Sequence, residues 1–316
     1  MWAPAAMAQM FKDTALETLH VAGKSVELQR LAVQRVAAQA DDVQAVLALA
    51  VTALAGSDGS ARQAALARAE ACLLRLPQAA ACHYALGTVL GVQAMSEGML
   101  KAARSAGTVK SALTQAQALE PAWYPARSAL VEFYLMAPGM MGGSSAKATE
   151  LAAAAPQPEQ VRALQARVAL QDGKVETALS SLTALLTVTD TDLADDVRQW
   201  GAQAAFNLVN NGQAAKAGAY FERLSKERPG QAMGPYGLAR VRTESGAFEE
   251  AIKLFDLSAT LKGAETLPVD YRKGIALQQA GRNDAAKAAF KSFVATGKGQ
   301  KSSLEDARKR LEKLGG

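Results

Sequence analysis

Apolar residues return at helical spacing along nearly the whole chain, in runs of roughly ten to fifteen residues separated by glycine, proline or short polar breaks. Leu16, Leu19, Leu28, Leu31, Val36 and Ala37 form the first series, interrupted near Gly23, and predict a helix pair over residues 14–40. A second pair spans residues 42–76, with Val46, Leu49, Val51 and Leu54 on one helix and Leu66, Ala69, Leu73 and Leu76 on the other. Ser60 and Gln63 have the spacing of a capping box for that second helix, and Pro77 marks the break after it. Residues 80–91 open a third pair whose partner helix, residues 108–120, arrives late. The intervening GMLKAARSAG (98–107) must form a longer turn or an added helical turn.

Leu130, Phe133 and Tyr134 lead to Pro138, which ends their helix, and Ser144 or Ser145 is placed to cap the next. Met140 and Met141 are expected to plug the gap between units. A fourth hairpin follows, with Val161, Leu164, Val168 and Leu170 before Gly173 and Ala178, Leu179, Leu182 and Leu185 after it. Residues 188–196 read as an insertion or a helix extension. At the end, Ser302 and Glu305 are spaced to cap a helix over 304–314. It turns Arg308, Lys309, Arg310 and Lys313 to water and lays Leu304, Leu311 and Leu314 on the preceding hairpin.

The pattern is clearest where residues 233–245 and 246–262 form two short amphipathic helices turning at Gly246. Gly212, Gly246 and Gly281 are 34 and then 35 residues apart, and Ala217, Ala251 and Ala286 keep the same steps, as do Phe221, Phe255 and Phe290. Such a period, with small, small and aromatic residues in step, resembles the tetratricopeptide repeat, a helix-turn-helix unit that stacks on its neighbours. The resemblance is strongest over 198–300 and 79–156. CHYALG, the GMLKAA insertion and FYLMAPGMMGGSSAKA are also similar to exported bacterial repeat proteins with an A-P-G-x-x-G-G-S-x-x-K-A stretch. The fold class expected is all-α, a right-handed superhelical solenoid of six to seven hairpins over 12–300, closed by a capping helix at 301–316.

Composition narrows the picture. The chain of 316 residues is 49% hydrophobic but only 5% aromatic, so its core is built from Ala, Leu and Val, which favours close-packed helices. No apolar run reaches the ~18 residues that span a bilayer, so no membrane insertion is expected. Net charge is +5; residues 265–316 hold 11 Lys and Arg against 6 Asp and Glu, an excess of 11 − 6 = 5. Those basic residues are interspersed with acids, so a solvated last helix is favoured and no nucleic-acid partner is expected. Ala6-Met7-Ala8 has the pattern that signal peptidase recognises, and residues 1–11 read as a leader or the remnant of one. Export to the periplasm is favoured over a cytoplasmic location. Cys72 and Cys82, on either side of a tight antiparallel turn, are candidates for a disulfide; two buried thiols are the alternative.

Candidate chemistry is sparse. Gly23-Lys24-Ser25 resembles the tail of a phosphate loop, but Thr18 stands where that motif needs glycine and no strand precedes it. His20 and His83 are the only histidines, so no metal set is completed, no cofactor is expected, and no nucleophile has a base and an orienting group at credible spacing. The repeat resemblance instead implies a concave groove lined by first helices. It would carry Tyr84, Thr88, Ser128, Glu132, Ala202, Phe206, Tyr236, Arg240, Tyr271 and Ile275, and hold a peptide or protein segment. The Lys and Asn of a dicarboxylate clamp are missing from these places, which favours an aromatic groove for apolar side chains. Two alternatives stand beside it: an anion or small-solute receptor using the backbone amides of Gly142, Gly143 and Ser144, and self-association through an end repeat.

Overall fold

The structure, a computed structural model, describes residues 9–56 and 58–315. The Ala6-Met7-Ala8 pattern lies outside the described residues, whereas Gln9, Met10 and Phe11 lie inside them, with Phe11 fully buried. Among the described residues there are seventeen α-helices, two 3₁₀ turns and no strand. The helices divide between two compact units, one of Met1–Asp172 with Val188–Asp196, the other of Gly173–Thr187 with Val197–Gly316.

The first unit stacks α1 (Thr14–Val21) with α2 (Ser25–Ala38), α3 (Val43–Ala55) with α4 (Gly59–Arg75), α5 (Ala80–Ser96) with α6 (Met99–Leu119), α7 (Tyr124–Met136) with α8 (Ser145–Ala153), and then α9 (Pro158–Gln171). Leu16, Leu28, Val46, Leu47 and Val89 meet in its core, where small residues such as Ala45, Ala48, Ala69 and Ala85 let the helices close up. The cap of α4 differs from expectation. Asp58 is the N-cap, accepting from Ser60 N at 2.8 Å, and the Ser60 hydroxyl donates to the same carboxylate, because a carboxylate before a helix start outcompetes a hydroxyl within it. The insertion at 98–107 becomes helix. Gly98, at φ 104°, starts α6, which runs without a break to Leu119.

The second unit contains α10 (Val175–Ala184), most of α11 (Thr191–Asn210), α12 (Ala214–Glu227), α13 (Met233–Glu244), α14 (Phe248–Ala259), α15 (Val269–Gln279), α16 (Asn283–Thr296) and α17 (Lys301–Lys313). The three periodic landmarks acquire separate physical roles here. Gly212, Gly246 and Gly281 sit at φ 73°, 80° and 74°, a left-handed turn between helices that glycine enters without a Cβ penalty. Ala217, Ala251 and Ala286, and Phe221, Phe255 and Phe290, are all fully buried. Burying each ring contributes about 1.5–3 kcal/mol. Its neighbour has to be small: a Cβ on Gly237 would come within 2.1 Å of Phe221, and one on Gly274 within 2.6 Å of Phe290.

Two loops of this unit are joined by backbone hydrogen bonds. Lys262 N donates to Gly230 O at 3.1 Å and Ala232 N to Lys262 O at 3.0 Å. At the C-terminal end α17 begins after Gln300, with no side-chain cap from Ser302 or Glu305. It starts earlier than 304 because the amides of Ser303 and Leu304 both bond to Gln300 O. Leu304, Leu311 and Leu314 pack on the hairpin before it.

Candidate functional site

In the first unit, Tyr124, Ser128 and Glu132 lie one turn apart on α7 and so share a face. That face is occupied. Residues 188–196 belong to the same unit, and the second turn of α11 brings Asp196 onto it: Tyr124 Oη donates to Asp196 Oδ2 at 2.7 Å and Ser128 Oγ to the same oxygen at 2.5 Å. Asp192, one turn earlier, meets His20 of α1 with Oδ1 3.3 Å from Nε2. Glu132 is engaged by Arg167 of α9 through two bonds of 2.6 and 2.9 Å. Tyr84 on α5 packs at a tilt against Trp123 with centroids 4.9 Å apart, and Thr88 donates to the carbonyl of Tyr84 in its own helix. The four residues expected to face a free groove here are therefore committed within the unit.

The electrostatics of this cluster are unusual. Burial pushes the Asp196 carboxyl up to about 7 from an ordinary 3.8, against the lowering pull of the Ser128 and Tyr124 hydroxyls. Burial also raises Glu17, whose carboxylate accepts from Phe11 N and is repelled by Asp192 and Asp190. At His20 burial opposes the imidazolium, but the hydrogen bond and charge of Asp192 outweigh it and the pKa rises. Burial lifts both Tyr84 and Tyr124 above the ordinary phenol value.

The second unit presents an open groove of about 810 Å³. Phe206 and Asn210 reach it from α11, and Tyr236 and Arg240 from α13, each pair one turn apart. The loop before α15 supplies Leu261, Leu267 and Pro268, α16 supplies Phe293, and the segment leading into α17 supplies Lys298 and Gln300. Arg240 is only 7% exposed; its guanidinium lies 5.4 Å from the Phe206 ring centroid and donates to Asn210 Oδ1 at 2.7 Å. Burial and the nearby charge of Arg272 lower its pKa. Arg272 lines the same groove, and its buried Nε has no hydrogen-bond partner among the described residues. The groove thus has an apolar wall and two arginines held by neutral groups and rings. Asn210 and Arg272 escaped the sequence reading; the spacing of Asn210 one turn after Phe206 was the available signal.

Three expected sites land elsewhere. Tyr271 and Ile275 lie against α17 and its hairpin rather than on the groove; the Tyr271 hydroxyl donates to Asp306 at 2.9 Å. Ala202 is buried. In the loop of Gly142, Gly143 and Ser144, each amide is used internally, bonding to Gly139 O, Pro138 O and Tyr134 O, so no amide of the three is left for an anion. Gly143 is there for space, since a Cβ would sit 1.7 Å from Ala137 O. Ser144 caps α8 through Lys147 N, and Met140, far from plugging a gap, is 93% exposed. Cys72 and Cys82 are joined as a disulfide with Cα atoms 6.2 Å apart.

No family model matches the chain, and no curated protein matches it. Solved structures do. A human IFIT1 dimer with PPP-AAAA aligns at a TM-score of 0.55 and 16% identity, over 86% of this chain and 63% of that one. A monomeric mutant of IFIT1 with Gppp-AAAA aligns at 0.57 and 17%, over 86% of this chain and 62% of that one. The fold is tetratricopeptide-like. At this identity the likeness speaks for the tetratricopeptide-like fold alone, and the chain spans about three-fifths of the length of the IFIT1 chains. Among the described residues no helix is long and apolar enough to cross a membrane.

Proposed function

We propose that this protein is a non-enzymatic scaffold that holds a protein segment in the groove of its second unit, and that it works in the bacterial cell envelope. One observation carries the binding role: an open groove of about 810 Å³ that joins an apolar wall of Phe206, Leu267 and Phe293 to the arginines Arg240 and Arg272. Aromatic and arginine side chains combine large contact area with a polar handle, which is why they dominate the energetics of protein interfaces. Glu265 and Asp270 line the same groove, so a polyanion such as RNA meets repulsion there as well as attraction. The envelope location rests on the Ala6-Met7-Ala8 pattern and on the disulfide, a bond that persists in oxidising compartments.

The test is site-specific photo-crosslinking in the native host, with the reactive residue at Thr266 on the groove rim, followed by fractionation and mass spectrometry. A crosslinked protein segment that disappears in Arg240→Met is the expected result. Crosslinks only to a second copy of this chain, with mass rising with concentration in light scattering, would replace the reading with self-association. Crosslinks to RNA alone would refute it.

A further inference from the structure

The occupied face of the first unit has a consequence separate from the groove of the second. We propose that Val188–Asp196 is an intramolecular latch on the face formed by Tyr84, Tyr124 and Ser128, held while Asp196 carries a proton and released as that carboxyl ionises. The geometry is specific. Asp190 starts the helix by accepting from Leu193 N at 3.1 Å, and Asp192 and Asp196 then project from successive turns. Asp192 meets His20 on α1, and Asp196 meets two hydroxyls on α7, both donating to the same oxygen, Oδ2. A neutral carboxyl serves two such donors through its carbonyl oxygen without placing a charge against the ring of Tyr124.

The groups that face Asp196 make ionisation costly. From α7 come Tyr124, Ser128 and Glu132, the last paired with Arg167 of α9; from α5 comes Tyr84; Asp192 is its neighbour on α11. His20 and Glu17 of α1 reach the latch through Asp192. Only His20 and Arg167 are basic in this set, and each already has a carboxylate. The signs agree. An acid whose pKa is raised in the closed state binds a proton on closure, so its contribution to holding the latch is present at low pH and lost as pH rises towards the closed-state value. For Asp196 that window runs from 3.8 to about 7. Glu17 is raised and acts in the same direction. His20 is raised too, and its contribution likewise fades as pH climbs through its closed-state pKa. The three groups thus act together, tightening the latch in acid and loosening it in alkali.

Hydrogen exchange of the full-length protein, read by mass spectrometry between pH 5 and pH 8 and corrected for intrinsic exchange, tests this. The opening equilibrium of Val188–Asp196 is expected to rise roughly a hundredfold across that range, while peptides from α13 and α15 stay flat. Asp196→Asn cannot ionise and retains only the slope left by His20 and Glu17. Ser128→Ala removes a hydroxyl that favours the anion, so its slope continues to higher pH than in the parent. This second variant decides the matter should Asp196→Asn fail to fold. A segment whose protection is the same at pH 5 and pH 8, an Asp196→Asn profile with the parent's slope, or a Ser128→Ala profile ending at the parent's pH would each overturn the latch.

Discussion

The disulfide between Cys72 and Cys82 gives the most direct test of how the first unit is held. It ties the last turn of α4 to the first turn of α5 across a separation of ten residues, and both cysteines are fully buried. In the loop-closure account, linking residues ten apart removes about 9 cal/mol/K of entropy from the unfolded chain, or about 2.7 kcal/mol at room temperature. The double variant Cys72→Ala/Cys82→Ala should lose about that much. With a urea m-value of about 1–3 kcal/mol/M, the unfolding midpoint of the unit falls by roughly 1–3 M. Trp123 supplies the signal, since its ring packs at a tilt against Tyr84 and its Nε1 donates to Gln9 O in the same unit; a Trp200→Phe background removes the signal of the second unit. Reduction of the parent under denaturing conditions, followed by refolding with the thiols blocked, should give a similar shift. A midpoint unchanged in both experiments would refute the reasoning.

Three further outcomes follow from particular contacts. Gly274→Ala drives a methyl to 2.6 Å from Phe290 Cε1 and should cost about 1–3 kcal/mol in thermal or urea unfolding of the second unit. Gly107→Ala, inside α6 with nothing within 4 Å of the new Cβ, should instead stabilise by about 0.5–1 kcal/mol, because glycine loses more backbone freedom than alanine on joining a helix. Gln160 is fully buried on α9, and neither end of its amide has a hydrogen-bond partner among the described residues. Gln160→Met should raise the melting temperature, with a gain of about 1–2 kcal/mol from the removed desolvation penalty.

The periodic half of the chain was readable because its landmarks act locally. Gly246 turns its own hairpin, and Phe255 packs against Tyr236 across that same hairpin, so sequence spacing and spatial neighbourhood coincide. Helix extents were harder to read. GMLKAARSAG contains two glycines and reads as a turn, yet Gly98 only starts α6 and Gly107 is carried inside it. The candidate site was legible in part. Phe206, Tyr236 and Arg240 do line the second unit's groove, but Tyr271 is claimed by Asp306, 35 residues away, and Ser128 by Asp196, 68 residues away. Nothing in the spacing of Asp192 and Asp196 distinguishes them from acids that merely complement a helix N-terminus. Their destination is a tertiary fact.

The pair of backbone bonds between Gly230, Ala232 and Lys262 also sets a rule for how this chain can change length. A residue inserted into either loop would shift a donor past its acceptor and unhook both strands of the tie at once. The connection after α5 has no such tether, and it has already absorbed extra turns of helix. Natural length variants of this protein should therefore grow and shrink at 98–107, while 229–232 and 260–263 keep their spacing.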